Sequence, residues 1–217
     1  MWSKLKEQFN LLKLEKKKLF LITNSDKFLS KDDFLDAIAS ALQGGVDIVL
    51  YREKELPDCV KVEVAHKIRT LCDEYGATFI VNDRIDIANI VEADGVLLGQ
   101  NDISLEDARE LLGQNAVIGK SCITTDEVIE AVNEGADYVL FGPIYTNPAK
   151  VSESIDMADV RWVNKNIDIP VFITGEINLS NLNEIVQNDV EKIAVTDAIM
   201  YARSPEYTAR EFLRYLP

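Results

Sequence analysis

Eight short apolar runs, each followed by sequence with helical spacing, constrain this chain more than any other feature. They begin with Leu19-Phe20-Leu21-Ile22-Thr23 and Val46 to Tyr51, and continue through Phe79-Ile80-Val81 and Gly95-Val96-Leu97-Leu98. Ala116-Val117-Ile118, Tyr138-Val139-Leu140-Phe141, Pro170-Val171-Phe172-Ile173 and Lys192-Ile193-Ala194-Val195 complete the set. Nearly all are continuously apolar, as expected of strands buried on both faces of a parallel sheet. Between them, groups such as Phe34, Ile38, Ala41 and Leu42, or Val60, Val64, Ile68 and Leu71, line single helix faces. Strand and helix alternating eight times predict a (β/α)8 TIM barrel. A doubly wound open sheet is the competing arrangement. It would need an uncommonly long parallel series, and no GxGxxG follows the first run.

With 217 residues, the chain reads as a single barrel domain over 1–217. Trp2, Leu5, Phe9 and Leu12 recur at helical spacing. They predict an additional N-terminal helix within residues 1–17, packed on one end of the barrel.

The formal net charge of −14 argues against a nucleic-acid surface or a polybasic membrane contact. No apolar run is long enough to span a bilayer, and no signal peptide is evident. Cys59, Cys72 and Cys122 form no CxxC pair and are odd in number, so a cytoplasmic protein with free thiols is expected. His66 is the single histidine, which leaves no basis for a His-rich metal site or a Ser-His-Asp triad.

The stretch Phe79–Asp102 shows where chemistry gathers. Its first run ends on Asn82-Asp83 and its second on Gly99-Gln100-Asn101-Asp102, with a short helical segment, Arg84 to Val91, after the first. A right-handed crossover brings both strand ends to the same edge, so Asp83 and Asp102 should meet at one rim. Two rim carboxylates suit Mg²⁺, which takes one or two carboxylates and leaves other positions to water and phosphate. The remaining strand ends add Arg52, Lys54 and Ser121, and Lys150 lies on the polar segment 144–156, expected to be a mobile loop. Cations beside a two-carboxylate metal site suit a polyphosphate. Each residue taken singly has a plainer meaning. Arg52 and Lys54 read as solvated charges, and Asn82-Asp83 and Asp102 as helix N-caps. Only convergence on one rim carries the functional reading. His66 falls away from that rim, and Cys122, lacking a histidine partner, reads as packing.

GGVDIVLYREK (44–54), CDEYGATFIVNDRIDIA (72–88), ADGVLLGQND (93–102), GKS (119–121), GADYVLFGPIY (135–145) and AVTDAI (194–199) occur in this order. Together they resemble the thiamine phosphate synthase and thiazole tautomerase family. The resemblance runs from about Leu19 to the last helix and implies a (β/α)8 barrel. It also implies a reaction in which hydroxymethylpyrimidine diphosphate is joined to a thiazole phosphate, with Mg²⁺-assisted release of pyrophosphate. Carried over by position, Asp83 and Asp102 would hold Mg²⁺. Arg52, Lys54, Asn82, Ser121 and Lys150 would hold the diphosphate.

On the acceptor side the sequence departs from the family pattern. Leu50 stands where the family has a pyrimidine-contacting Gln, and Leu97 replaces the His of HLGQ. Asn147 and Ala149 replace the threonines of GPxxxTxTK. The IGGI loop reads Ile173-Thr174-Gly175-Glu176-Ile177. Near the end of the last strand, Asp197 follows Thr196 in place of a serine. The histidine of the tautomerase GxSxH segment falls at Ile123, which weakens the tautomerase reading. Glu176 and Asp197 put negative charge where the family binds a phosphate dianion. A changed acceptor, unphosphorylated or cationic, is therefore one alternative to the ordinary synthase. A catalytically inactive diphosphate-binding or regulatory protein is another. In a third, structural reading the rim charges are solvated caps. The expected partners are a small-molecule diphosphate and a thiazole-type acceptor, with a homodimer left open.

Overall fold

The computed structural model describes residues 14–146 and 154–217. Asn147, Ala149, Lys150 and most of the predicted opening helix lie outside these residues. Of that helix, Leu14 and Glu15 have helical backbone, and Leu14 is buried among barrel-interior side chains.

The strands are β1 (Leu19–Ile22), β2 (Ile48–Tyr51), β3 (Thr78–Asn82), β4 (Gly95–Leu98), β5 (Val117–Cys122), β6 (Tyr138–Phe141), β7 (Val171–Thr174) and β8 (Ile193–Val195). They close into one parallel barrel in sequence order, and β1 pairs with β8 to seal it. The predicted (β/α)8 barrel is therefore the fold. Among the described residues the helices are α1 (Lys31–Gln43), α2 (Asp58–Tyr75), α3 (Ile85–Ile90), α4 (Leu105–Leu112) and α5 (Thr125–Asn133). They continue with α6 (Met157–Asn166), α7 (Leu182–Val186), α8 (Asp197–Met200) and α9 (Pro205–Tyr215). No helix among the described residues is long and apolar enough to cross a membrane.

Alternation along each strand splits the apolar residues between two cores. Leu19, Leu21, Val49, Tyr51, Phe79 and Val81 face the helices. Phe20, Ile48, Leu50, Ile80, Leu97, Val117, Tyr138 and Phe172 fill the barrel. Both faces are buried, which is why the strands read as continuous apolar runs. Inside, Phe20 and Phe172 meet edge to face at 5.2 Å, and Tyr138 and Phe172 at 6.3 Å. Such ring pairs add about 0.5–1.5 kcal/mol each beyond burial. Gly119 makes room for this cluster: a Cβ there would lie 2.2 Å from the Tyr138 ring.

The opposite end of the barrel is tied by a repeated aspartate just before β2, β4 and β6. Asp47 accepts from the Lys18 and Leu19 amides at 2.8 and 3.0 Å. Asp94 accepts from Phe79 N and the Arg69 guanidinium, and Asp137 from Ile118 N and the Arg109 guanidinium. Each carboxylate therefore reaches back to the start of the preceding strand.

Candidate active site at the C-terminal rim

Inward-facing rows run from an apolar interior to a polar rim. Phe20 and Ile22 are followed at the same period by Asn24, Ile48 and Leu50 by Arg52, Leu97 by Gly99, and Val117 and Gly119 by Ser121. These rows open into a cavity of about 640 Å³. Its floor is Ile22, Leu50, Leu97 and Leu140. One side carries Arg52, Asn82, Asp83, Gly99 and Ser121; the other carries Gly175, Glu176, Asn178, Thr196 and Asp197. In a (β/α)8 barrel this is the end where active sites lie. Another cavity, about 600 Å³, lies at the far end beside Glu15, Arg161 and Lys192. The Lys192 amine there is already bonded to the carbonyls of Glu15 and Lys17.

Asp83 sits one residue past β3 with φ +59°, a conformation uncommon outside glycine but tolerated by Asp and Asn. Its amide donates to Leu97 O at 2.9 Å, fixing it against β4. Asp102 turns back to accept from Gly99 N at 2.6 Å. The two carboxyls share a hydrogen bond. Burial, then the Asp102 charge and this bond, raise Asp83 to about 6, while Lys54 and Arg52 pull it down. Two carboxyls in contact require a shared proton or a neighbouring cation.

The plainer cap readings do not describe this site. Ser104 caps α4 through the Asp107 amide, and Arg84, without a side-chain capping bond, occupies the cap position of α3. The rim carboxylates are therefore left facing each other.

Of the remaining expected residues, Arg52, Asn82, Ser121, Leu50, Gly175, Glu176, Thr196 and Asp197 line the cavity. Lys54 is close enough to act on Asp83 electrostatically. Gly175 has φ +149°, and a Cβ would come within 2.9 Å of the Ile144 and Tyr145 amides. Only glycine lets the loops after β6 and β7 approach this closely. Ile144 N donates to Thr174 O and Glu176 N to Tyr145 O, while Ile155 N donates to Pro143 O. The expectation of mobility in 144–156 otherwise concerns residues outside those described.

Asp197 is not an isolated charge. The Lys27 amine donates to it at 3.3 Å and Asn24 Nδ2 at 3.4 Å. Asn24 and Asn178 line the cavity and were missed by sequence reasoning. Extending the inward period of β1 by one step would have found Asn24. Asn178 lies in irregular backbone and gave no such signal. His66 is exposed on α2 and contributes nothing to the rim, and burial pushes the Cys122 thiol up to about 12. Among the described residues no cluster of three or more His, Cys, Asp or Glu could hold a metal ion. A pair of carboxylates such as Asp83 and Asp102 is a donor set that suits a cation keeping most of its shell for water and phosphate, as Mg²⁺ does.

Residues 19–199 match the family described as thiamine monophosphate synthase. A thiamine-phosphate synthase of Thermosynechococcus vestitus is 40% identical over 96% of this chain, which spans 58% of that protein. Thiamine-phosphate synthases of Nostoc sp. and Synechocystis sp. are likewise matched over 57% and 58% of their length. A putative thiamine-phosphate synthase of Geobacter sulfurreducens is 38% identical, over 92% of this chain and 94% of that protein. The thiamine phosphate pyrophosphorylase structure from Pyrococcus furiosus superposes with a TM-score of 0.82 at 34% identity, covering 94% of this chain and 96% of that one. A barrel closed in sequence order, with polar rim rows converging on one cavity, together with these likenesses, leads to one assignment: the chain belongs to the thiamine monophosphate synthase family.

Proposed function

We propose that this chain joins hydroxymethylpyrimidine diphosphate to a thiazole phosphate and releases pyrophosphate. The observation that carries the reading is that Asp83, paired with Asp102 behind it, lines one rim cavity of a family member together with Arg52, Asn82 and Ser121. In the reaction the pyrimidine methylene loses its C–O bond, whose electron pair leaves with pyrophosphate. The thiazole nitrogen then supplies the pair for the new C–N bond.

Asp83 and Asp102 would hold Mg²⁺, which supplies positive charge to the diphosphate oxygens when bound. Arg52 binds the diphosphate through its planar fork, and Lys54 and Lys150 add point charges. Asn82 and Ser121 orient the diphosphate by hydrogen bonding. The apolar floor of Ile22, Leu50, Leu97 and Leu140 takes ring faces and excludes water from the cation-like methylene. The chemistry thus rests on leaving-group stabilisation and acceptor positioning.

Glu176 and Asp197 favour a changed acceptor if their charges stand alone. Lys27 offsets Asp197, which supports a phosphorylated acceptor instead. The test is pyrophosphate release from hydroxymethylpyrimidine diphosphate with Mg²⁺, with and without thiazole phosphate. Release that depends on the acceptor is expected. Binding of the diphosphate without release, while an authentic synthase works in parallel, would overturn the reading in favour of a changed acceptor or a binding protein.

A further inference from the structure

The charge balance of the rim cavity points to a ligand contact at the Asp197 wall. Its described lining sets the carboxylates of Asp83 and Asp197 beside the Arg52 guanidinium. A cavity that takes two phosphorylated molecules needs more positive charge than this. Lys54 and Arg52 act on the Asp83 side, where Mg²⁺ would add charge when bound. On the side formed after β7 and β8, Lys27 meets Asp197 at 3.3 Å.

Lys27 lies on the loop between β1 and α1, and its position is fixed by several contacts. Its amine lies 4.3 Å from the centre of the Tyr201 ring. The Tyr201 hydroxyl donates to Asn24 O at 3.1 Å, and its ring packs on Phe28 at 5.4 Å. Asn24 in turn reaches Asp197. The loop after β1 is thereby tied to α8, and an ammonium is held beside the Asp197 wall of the cavity. A lysine carries three donors. One is used on Asp197, and the side chain is 63% exposed, open to an arriving ligand.

We infer that Lys27 is the acceptor-phosphate cation of this chain, with Asp197 as the positioning residue that holds it at the cavity wall. The inference rests on the reading that the acceptor carries a phosphate. Lys27 would contact the phosphate monoester and leave the diphosphate half untouched. Discrimination between the thiazole phosphate and its alcohol would then depend on one side chain.

The test is calorimetric titration of the full chain, with Mg²⁺ and inorganic pyrophosphate present, using thiazole phosphate and the unphosphorylated thiazole alcohol. Lys27→Ala should weaken phosphate-ester binding about tenfold, the scale of one lost hydrogen bond to a charged group, and leave the alcohol unchanged. Lys27→Arg should restore most of the loss. In turnover, Lys27→Ala should raise KM for the thiazole phosphate and leave kcat and the KM for the pyrimidine diphosphate unchanged. A thermal midpoint close to that of the parent chain shows that the variant is folded. Unchanged ester affinity in Lys27→Ala overturns the inference, even if the parent chain proves to be an active synthase. A parent chain that binds ester and alcohol equally also overturns it. Selective loss of ester binding without turnover in the parent would support Lys27 as the phosphate contact and refute the proposed reaction.

Discussion

Asp83 and Asp102 share a hydrogen bond across the ends of β3 and β4; desolvation first, and then the Asp102 charge and this bond, raise the Asp83 carboxyl from 3.8 to about 6. The folded chain therefore binds more protons than the unfolded chain between those values. Metal-free stability falls as pH rises through this window. The penalty is complete above about 6 and absent below about 4. Asp83 is exposed to solvent, so screening limits the effect to at most about 1 kcal/mol. Asp83→Asn keeps a residue that tolerates positive φ. It should stabilise the metal-free protein by about 2–4 °C above neutral pH, with the gain vanishing by about pH 4. Thermal unfolding of both proteins in chelator, across that range, measures the difference. A gain independent of pH would refute the origin given for it.

Arg52 faces the same cavity with a planar, fixed-charge fork. Arg52→Lys retains a charge and loses bidentate geometry. It should lower kcat/KM about tenfold, and Arg52→Ala about a hundredfold, if the diphosphate is bound as proposed. Steady-state kinetics with the pyrimidine diphosphate varied would show this, and equal losses for the two variants would argue against a bidentate contact.

In the barrel interior, Gly119 and Tyr138 are mutually dependent. The Cβ of Gly119→Ala would fall between 2.2 and 2.5 Å from three Tyr138 ring atoms, and the ring is enclosed by Phe20 and Phe172. Relief requires a backbone or ring shift, so a loss of about 3 kcal/mol is expected by urea denaturation. Tyr138→Phe keeps the ring and gives up only the bond to Val96 O, at about 1 kcal/mol.

At the other end, Asp137 is 8% exposed and serves both Ile118 N and Arg109. Asp137→Ala strands a strand amide and removes the counter-charge of a half-buried guanidinium that keeps its bonds to the Ala116 and Gly135 carbonyls, and should cost about 3 kcal/mol in chemical denaturation. Arg214→Ala breaks a bond of the same 2.8 Å length to Glu211, but Arg214 is 74% exposed. That change should cost less than about 0.5 kcal/mol. Comparable losses would mean that burial does not decide the strength of these pairs.

Where an element buries both faces, its sequence announced it. The apolar runs of β1, β4 and β6 needed little correction. β5 was less legible because Gly119 and Ser121 occupy inward positions, one beneath an aromatic ring and the other at the cavity, and so interrupt the apolar run before the strand ends at Cys122. The four-residue helix Asp197–Met200 is too short to leave a helical period. On the rim, the placement of Arg52, Asn82, Asp83 and Ser121 was legible because each lies at or just past the C-terminal end of a strand whose direction the crossover rule fixes, and Asp102 follows in the short turn after β4.

The sequence by itself determined the barrel and the edge at which its polar residues emerge, because alternation and crossover handedness act along short stretches of chain. Only the tertiary structure decided which charges meet. Lys27 and Asp197 are 170 positions apart and come together because β1 closes the sheet against β8. The charge on Asp197, read in isolation, implied repulsion of a phosphate. Barrel closure supplies the counter-charge, since a carboxylate's effect on a ligand depends on the cations that surround it in space.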